Sequence, residues 1–92
     1  MEILLKKSDI KRVIFCPKVV KVKTTFLGYR FEDIQEESKV IIVLNDNHCY
    51  RLDGNEETLR ESFKSIVNNQ LRQDEEYILI DGLIPYEYYH HK

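Results

Sequence analysis

The stretch Val40-Ile41-Ile42-Val43-Leu44-Asn45-Asp46-Asn47-His48-Cys49-Tyr50-Arg51-Leu52 decides the fold class. Two β-prone apolar runs flank a short polar segment rich in residues that tolerate left-handed backbone, the pattern of a β-hairpin. With Asp46-Asn47 as a two-residue turn, Leu44 pairs with Cys49 and Val43 with Tyr50. Ile41, Val43, Tyr50 and Leu52 then share one face, and Val40, Ile42, Leu44, Cys49 and Arg51 share the other. Both faces are largely apolar, which predicts a hairpin central in a sheet or part of a barrel-like curve.

Toward the C-terminus, Asp53-Gly54-Asn55 reads as a helix start with Asn55 as the N-cap. Glu56 and Glu57 suit the positive end of the helix dipole. Leu59, Phe63, Ile66, Val67 and Leu71 recur at helical spacing as one apolar stripe. Glu76 to Ile80 is a strand closed by Asp81-Gly82, and Leu83 to Tyr89 is either an edge strand or an aromatic tail.

Toward the N-terminus, Ile3 to Leu5 and Val13 to Cys16 are short β-prone runs, the second halted by Pro17. Val20, Val22, Thr24 and Phe26 alternate with Lys21, Lys23 and Thr25, which predicts a half-buried strand with valines inward and lysines outward. Gly28 marks a turn or bulge, and Tyr29 to Ile34 continues as strand. The predicted class is α+β: a small curved antiparallel sheet of about five or six strands, open or barrel-like, with one amphipathic helix near residues 56–71. Residues 1–92 form a single domain in this reading.

Phe31-x-Asp33-Ile34, Val40-Ile41-Ile42-x-Leu44-x-Asp46, Tyr50-Arg51-Leu52 and Leu59-x-x-x-Phe63 loosely resemble two bacterial groups, the PH-like domains and the LytTR DNA-binding domain. Each has a strand hairpin feeding a short helix. The LytTR pattern expects a basic, histidine-containing segment after the helix, where this chain reads Glu75-Glu76-Tyr77-Ile78-Leu79-Ile80. No functional residue carries over from either.

Charge is segregated along the chain. Residues 6–30 hold eight Lys and Arg against one acid, Asp9, while residues 31–92 hold six Lys and Arg against fourteen Asp and Glu. The formal net charge of −2 therefore hides two opposed halves. Such asymmetry points either to an anionic partner or to internal neutralisation.

Several activities are argued against. Neither a CxxC pair nor an HxxxH spacing is present, so no metal site is expected. Cys16 and Cys49 read as small buried apolar residues rather than nucleophiles or a disulfide framework. Gly28, Gly54 and Gly82 are isolated, so no phosphate-cradling loop or cofactor site is expected. No nucleophile, base and oxyanion donor match up, so no catalytic residues are assigned and the chain is read as a non-enzyme. Val40 to Leu44, the longest aliphatic run, falls far short of the ~20 residues of a membrane span. No membrane role is expected, and the expected compartment is the cytoplasm, that of an infected host if the chain is viral.

What remains is recognition. The leading expectation is a small regulatory or interaction protein, of the inhibitor, immunity or anti-defence kind, that binds a protein partner. Its expected contacts are Lys18, Lys21 and Lys23 on the basic strand and Tyr86, Tyr88 and Tyr89 at the C-terminal end, because tyrosine offers large contact area with few rotors. A second expectation is nucleic-acid binding by the basic 11–23 region. Lys11, Arg12, Lys18, Lys21 and Lys23 would neutralise phosphates, and Tyr29, with Phe26 and Phe31, would stack on bases. A third is a homo-oligomer that holds an anionic small ligand or nucleotide with its lysines.

Overall fold

Residues 10–44 form one long two-stranded ribbon, and the rest of the chain folds around its lower half. The computed structural model describes residues 2–87. Its strands are β1 (Glu2–Lys6), β2 (Ile10–Cys16), β3 (Val19–Thr24), β4 (Arg30–Glu36), β5 (Lys39–Leu44), β6 (Cys49–Asp53), β7 (Tyr77–Asp81) and β8 (Ile84–Tyr86). One helix, α1 (Glu56–Leu71), lies between β6 and β7. This is the α+β class read from sequence, with curved antiparallel sheets. It differs in detail: the described residues hold eight strands in three sheets, β1–β7, β2–β5–β6–β8 and β3–β4, and no closed barrel.

The register carries across from the lower ladder to the upper one. Val13 pairs with Ile42, Cys16 with Lys39 and Val19 with Glu36. Between the two ladders pairing lapses at Pro17-Lys18 and Glu37-Ser38, and single-residue bulges fall at Lys11 and Gln35. Proline has no N–H to give to the ladder, which accounts for the interruption. At this point the buried Ser38 hydroxyl donates to the Gly54 carbonyl (2.9 Å), tying the ribbon to the turn that starts α1. Below the interruption the ribbon is the β2–β5 ladder; above it, the β3–β4 ladder.

The lower half is covered. Val40, Ile41, Ile42 and Val43 are all buried, as a strand central in its sheet requires. Ile42 packs with Leu5, Ile10, Ile66, Ile78, Ile80 and Leu83, so α1 and the β1–β7 pair close one face. Phe15 meets Phe63 at 6.0 Å between ring centroids. On the opposite face Ile41, Val43 and Cys49 form a smaller cluster with Ile14, Cys16 and Tyr86. The helix matches its predicted bounds, and the Asn55 side chain accepts the Thr58 N–H at 2.8 Å. The apolar stripe buries Leu59 and Ile66 but stops short of Leu71, which is 74% exposed in the last turn.

The central hairpin departs from its predicted register. Val43 pairs with Cys49 and Ile42 with Tyr50, one residue off the two-residue-turn pairing. The loop is three residues, Asn45-Asp46-Asn47. Leu44 N–H donates to the His48 carbonyl, and Asn47 takes the left-handed conformation at φ 69. A type I turn followed by one left-handed residue is the next commonest hairpin closure. The shift changes which residues share a face: Tyr50 and Leu52 join Ile42, and Cys49 joins Ile41 and Val43.

The larger departure is β3. Its valines were expected to point inward, yet all six of its residues and all seven of β4 are exposed. The two strands pair with each other alone, so the alternation has two open faces. The molecule is correspondingly long, 58 × 29 × 23 Å. Its radius of gyration of 16.4 Å exceeds the ~12 Å of a compact chain of this size.

Two classes of stability change follow. Ile42→Ala is expected to cost about 2–5 kcal/mol and Asn55→Ala about 1 kcal/mol. Val22→Ala on β3 is expected to stay within about 0.5 kcal/mol. Urea denaturation of the three variants checks the contrast, and a cost at Val22 similar to that at Ile42 would show that the upper ribbon is covered.

Candidate partner-docking arm

The upper ribbon, residues 18–37, is an arm that projects from the body. Nine residues from Val19 to Leu27 reach ~30 Å at 3.3 Å per residue. It is closed by the same turn as the central hairpin. Thr25 N–H donates to the Tyr29 carbonyl (2.8 Å), Gly28 N–H donates to the Thr25 carbonyl (2.9 Å), and Gly28 sits at φ +89. The Thr25 hydroxyl oxygen accepts the Tyr29 N–H at 3.1 Å.

The two turns share a backbone and have opposite chemistry. The central hairpin ends in Asn45-Asp46-Asn47, all polar. Its Asp46 carboxylate accepts hydrogen bonds from the His48 ring (2.7 Å) and backbone N–H (3.0 Å), which hold its pKa below the ordinary value. The arm ends in Phe26-Leu27-Gly28, with Phe26 103% and Leu27 78% exposed. The turn geometry does not require an apolar tip, since polar residues serve the other loop equally well.

The arm has two distinct faces. Val20, Val22 and Thr24 share one with Ile34, Glu32 and Arg30; Lys21 and Lys23 share the other with Asp33 and Phe31. Lys23 meets Asp33 at 3.2 Å. Near the root the ladder bulges, with Val19 opposite Glu36 and Val20 opposite Ile34. Val19, Tyr29 and Phe31 are exposed as well, so eight large apolar side chains of the arm face solvent. Contiguous exposed apolar surface on a small protein marks an interaction site more often than not.

The structure redistributes the expected contact residues. Lys18, Lys21 and Lys23 do lie on the arm, but β3 pairs with the acidic strand β4. Residues 18–37 hold four bases (Lys18, Lys21, Lys23, Arg30) and four acids (Glu32, Asp33, Glu36, Glu37). The arm is neutral, and the charge segregation seen along the chain is here cancelled across a ladder. Lys11 and Arg12 lie apart from these lysines, in the body sheet, with Lys11 at the bulge between Ile10 and Arg12. Tyr29 follows the turn and is exposed.

Tyr86 lies on β8 in the body, away from the tip. Its ring sits under Arg51 (5.6 Å) and Lys39 (5.9 Å). It lines a recess of about 200 Å³ at the arm's root with Glu36, Glu37, Lys39, Arg51 and Asp53. Tyr88 and Tyr89 lie outside the described residues. Among the described residues no three His, Cys, Asp or Glu side chains cluster as metal ligands would. Cys49 is buried and Cys16 half-buried.

Sequence reading missed the tip. Phe26 was taken as the last residue of a strand, although Phe26-Leu27-Gly28 has the length and left-handed third position of Asn45-Asp46-Asn47. That equivalence was the available signal. No protein-family model matches this chain, and no curated protein or solved structure matches it either. Neither bacterial group that residues 31–63 resemble is therefore shown.

Gly28→Ala forces a side chain into the left-handed region and is expected to cost about 1 kcal/mol, confined to the arm. Amide exchange should quicken for residues 19–36 while the global urea midpoint stays put. The Asp46 contribution should be fully present above the ordinary carboxylate pKa and disappear as pH falls through the lowered one. An NMR titration of the Asp46 carboxyl carbon checks this, and an unshifted midpoint would remove the His48 contact.

Proposed function

We propose that this chain is a non-catalytic interaction protein that binds a protein partner through the β3–β4 arm. The observation that supports this reading is a ribbon of thirteen strand residues, none of them buried, capped by an exposed Phe-Leu tip. An isolated two-stranded hairpin is marginal in water and gains stability when a further surface covers it. The exposed Phe26, Tyr29 and Phe31 supply the aromatic side chains that protein interfaces favour, and the charges along both strands cancel. A regulator or inhibitor needs no more equipment than this. Neutrality of the arm argues against the nucleic-acid reading, because phosphate binding draws on unpaired positive charge. On this reading Lys18, Lys21 and Lys23 are rim residues that keep the arm soluble and discourage unwanted edge pairing.

A photo-cross-linking residue at position 27, with position 57 on the exposed side of α1 as control, tests the reading in the cells that produce the protein. The expected result is polypeptide adducts from position 27 and none from position 57. Adducts to nucleic acid alone, lost steeply as salt rises, would transfer the arm to the nucleic-acid reading. No adduct from either position would overturn the proposal.

A further inference from the structure

The arm has a face that complements itself, and we infer that its first partner is a second copy of this chain, held arm against arm in antiparallel fashion. The inference rests on the arm being the contact element. It starts from the face made by Val20, Val22, Thr24, Arg30, Glu32 and Ile34. Arg30 and Glu32 are two residues apart on one strand, point the same way, and their side chains make no ion pair or hydrogen bond among the described residues. On the opposite face Asp33 is already taken by Lys23, so the middle of that face offers only the positive charge of Lys21 to a second copy. One base and one acid left unmatched beside an apolar patch are what a two-fold contact uses, because each copy supplies both halves of both pairs.

The geometry sets the register. A two-fold axis midway between positions 30 and 32 brings Arg30 of one copy against Glu32 of the other, twice. The same axis places Thr24 against Val22. It also brings the Phe26-Leu27 tip of each copy to the level of Val20 and Ile34 of the other. Val20 and Ile34 of each copy thereby meet the tip of the other, and Val22 meets the Thr24 methyl group.

Edge-to-edge pairing is a poorer solution. Two β3 strands joined antiparallel about Val22 would set Lys21 against Lys23 twice. Two β4 strands about Asp33 would set the two aspartates against each other, and about Phe31 they would match Arg30 with Glu32 but leave the Val20, Val22 and Ile34 face open to solvent. Like charges directly opposite across a ladder destabilise it. Face-to-face packing of two ribbons avoids both clashes and matches the way sheets stack. A contact made by one face of one two-stranded ribbon per copy belongs at the small end of the interface range, so the dimer is expected to dissociate on dilution.

Sedimentation velocity over a concentration series tests this on the full chain, with circular dichroism confirming that each variant folds. Wild type should shift from monomer to dimer as concentration rises. Arg30→Glu sets acid against acid at both symmetric positions and should weaken association about tenfold. Adding Glu32→Arg to it reverses both partners and should restore association to within about threefold. Phe26→Ser with Leu27→Ser should abolish it. A chain that stays monomeric throughout overturns the inference, as does a dimer indifferent to Arg30→Glu. The cross-linker at position 27 separates the two readings. A monomer that still yields adducts with a different polypeptide sinks the second copy and leaves the arm's role standing. A monomer with no adducts removes both.

Discussion

A two-stranded ribbon has two faces, and this chain has enough apolar material to cover only half its length. Everything else in the molecule follows from where that covering stops. Strands β2 and β5 gain α1 and the β1–β7 pair on one side and a smaller cluster with Tyr86 on the other. Past Pro17 and Ser38 no residue of the ribbon's strands is buried. A chain of 92 residues buries only somewhat over ~60% of its unfolded surface even when compact. Extending residues 18–37 into solvent lowers that further, so the small body must be well packed. The four fully buried residues in a row on β5 meet that requirement. Ser38 matters because its hydroxyl bond to Gly54 fixes the ribbon at the point where packing ends.

Much of the body could be read from sequence, and for local reasons. The helix was legible because Asn55, Glu56 and Glu57 carry their signal within one turn, and the apolar stripe repeats over four turns. The central hairpin was legible because two apolar runs flank a polar loop. Its register was not, because Asn45-Asp46-Asn47-His48 fits a two-residue and a three-residue turn equally well by composition. The choice is settled by Asn47 adopting φ 69, a conformation asparagine tolerates but does not announce.

The arm was illegible for a different reason. Alternation of valine and lysine along β3 reports which side chains share a face, not whether anything covers that face. Burial depends on contacts between residues far apart in sequence, and here such contacts end at the ribbon's root. The charge pattern misled in a similar way. Eight bases in residues 6–30 look like one patch. The ladder instead brings Lys21 and Lys23 beside Asp33, places Arg30 on the acidic strand itself and leaves Lys11 and Arg12 in another sheet. A linear count of charge cannot foresee antiparallel pairing, which is decided by the turn at Gly28.

The comparison between the two turns carries the argument furthest. Within one chain, the same three-residue closure is built once from polar residues and once from Phe26-Leu27-Gly28. The backbone requirement is equal at the two sites, since both need one residue in the left-handed region and neither needs an apolar side chain. Asn45, however, also donates to the Ser8 and Asp9 carbonyls and so ties its turn to the body. The polar turn thus has a role inside the body, whereas Phe26 and Leu27 cover nothing among the described residues. Exposed phenylalanine and leucine at the far end of a projecting arm raise the risk of aggregation. The lysines of β3 and the acids of β4 offset that risk by leaving charge along both strands. On the proposed reading, docking supplies the missing cover and orders a ribbon that is only marginally stable alone. Part of the contact energy then goes into fixing the arm rather than into affinity. An arm already held in register by its root at Ser38 and its turn at Gly28 loses less on docking than a free peptide would, which is the physical advantage of building the contact element as a hairpin.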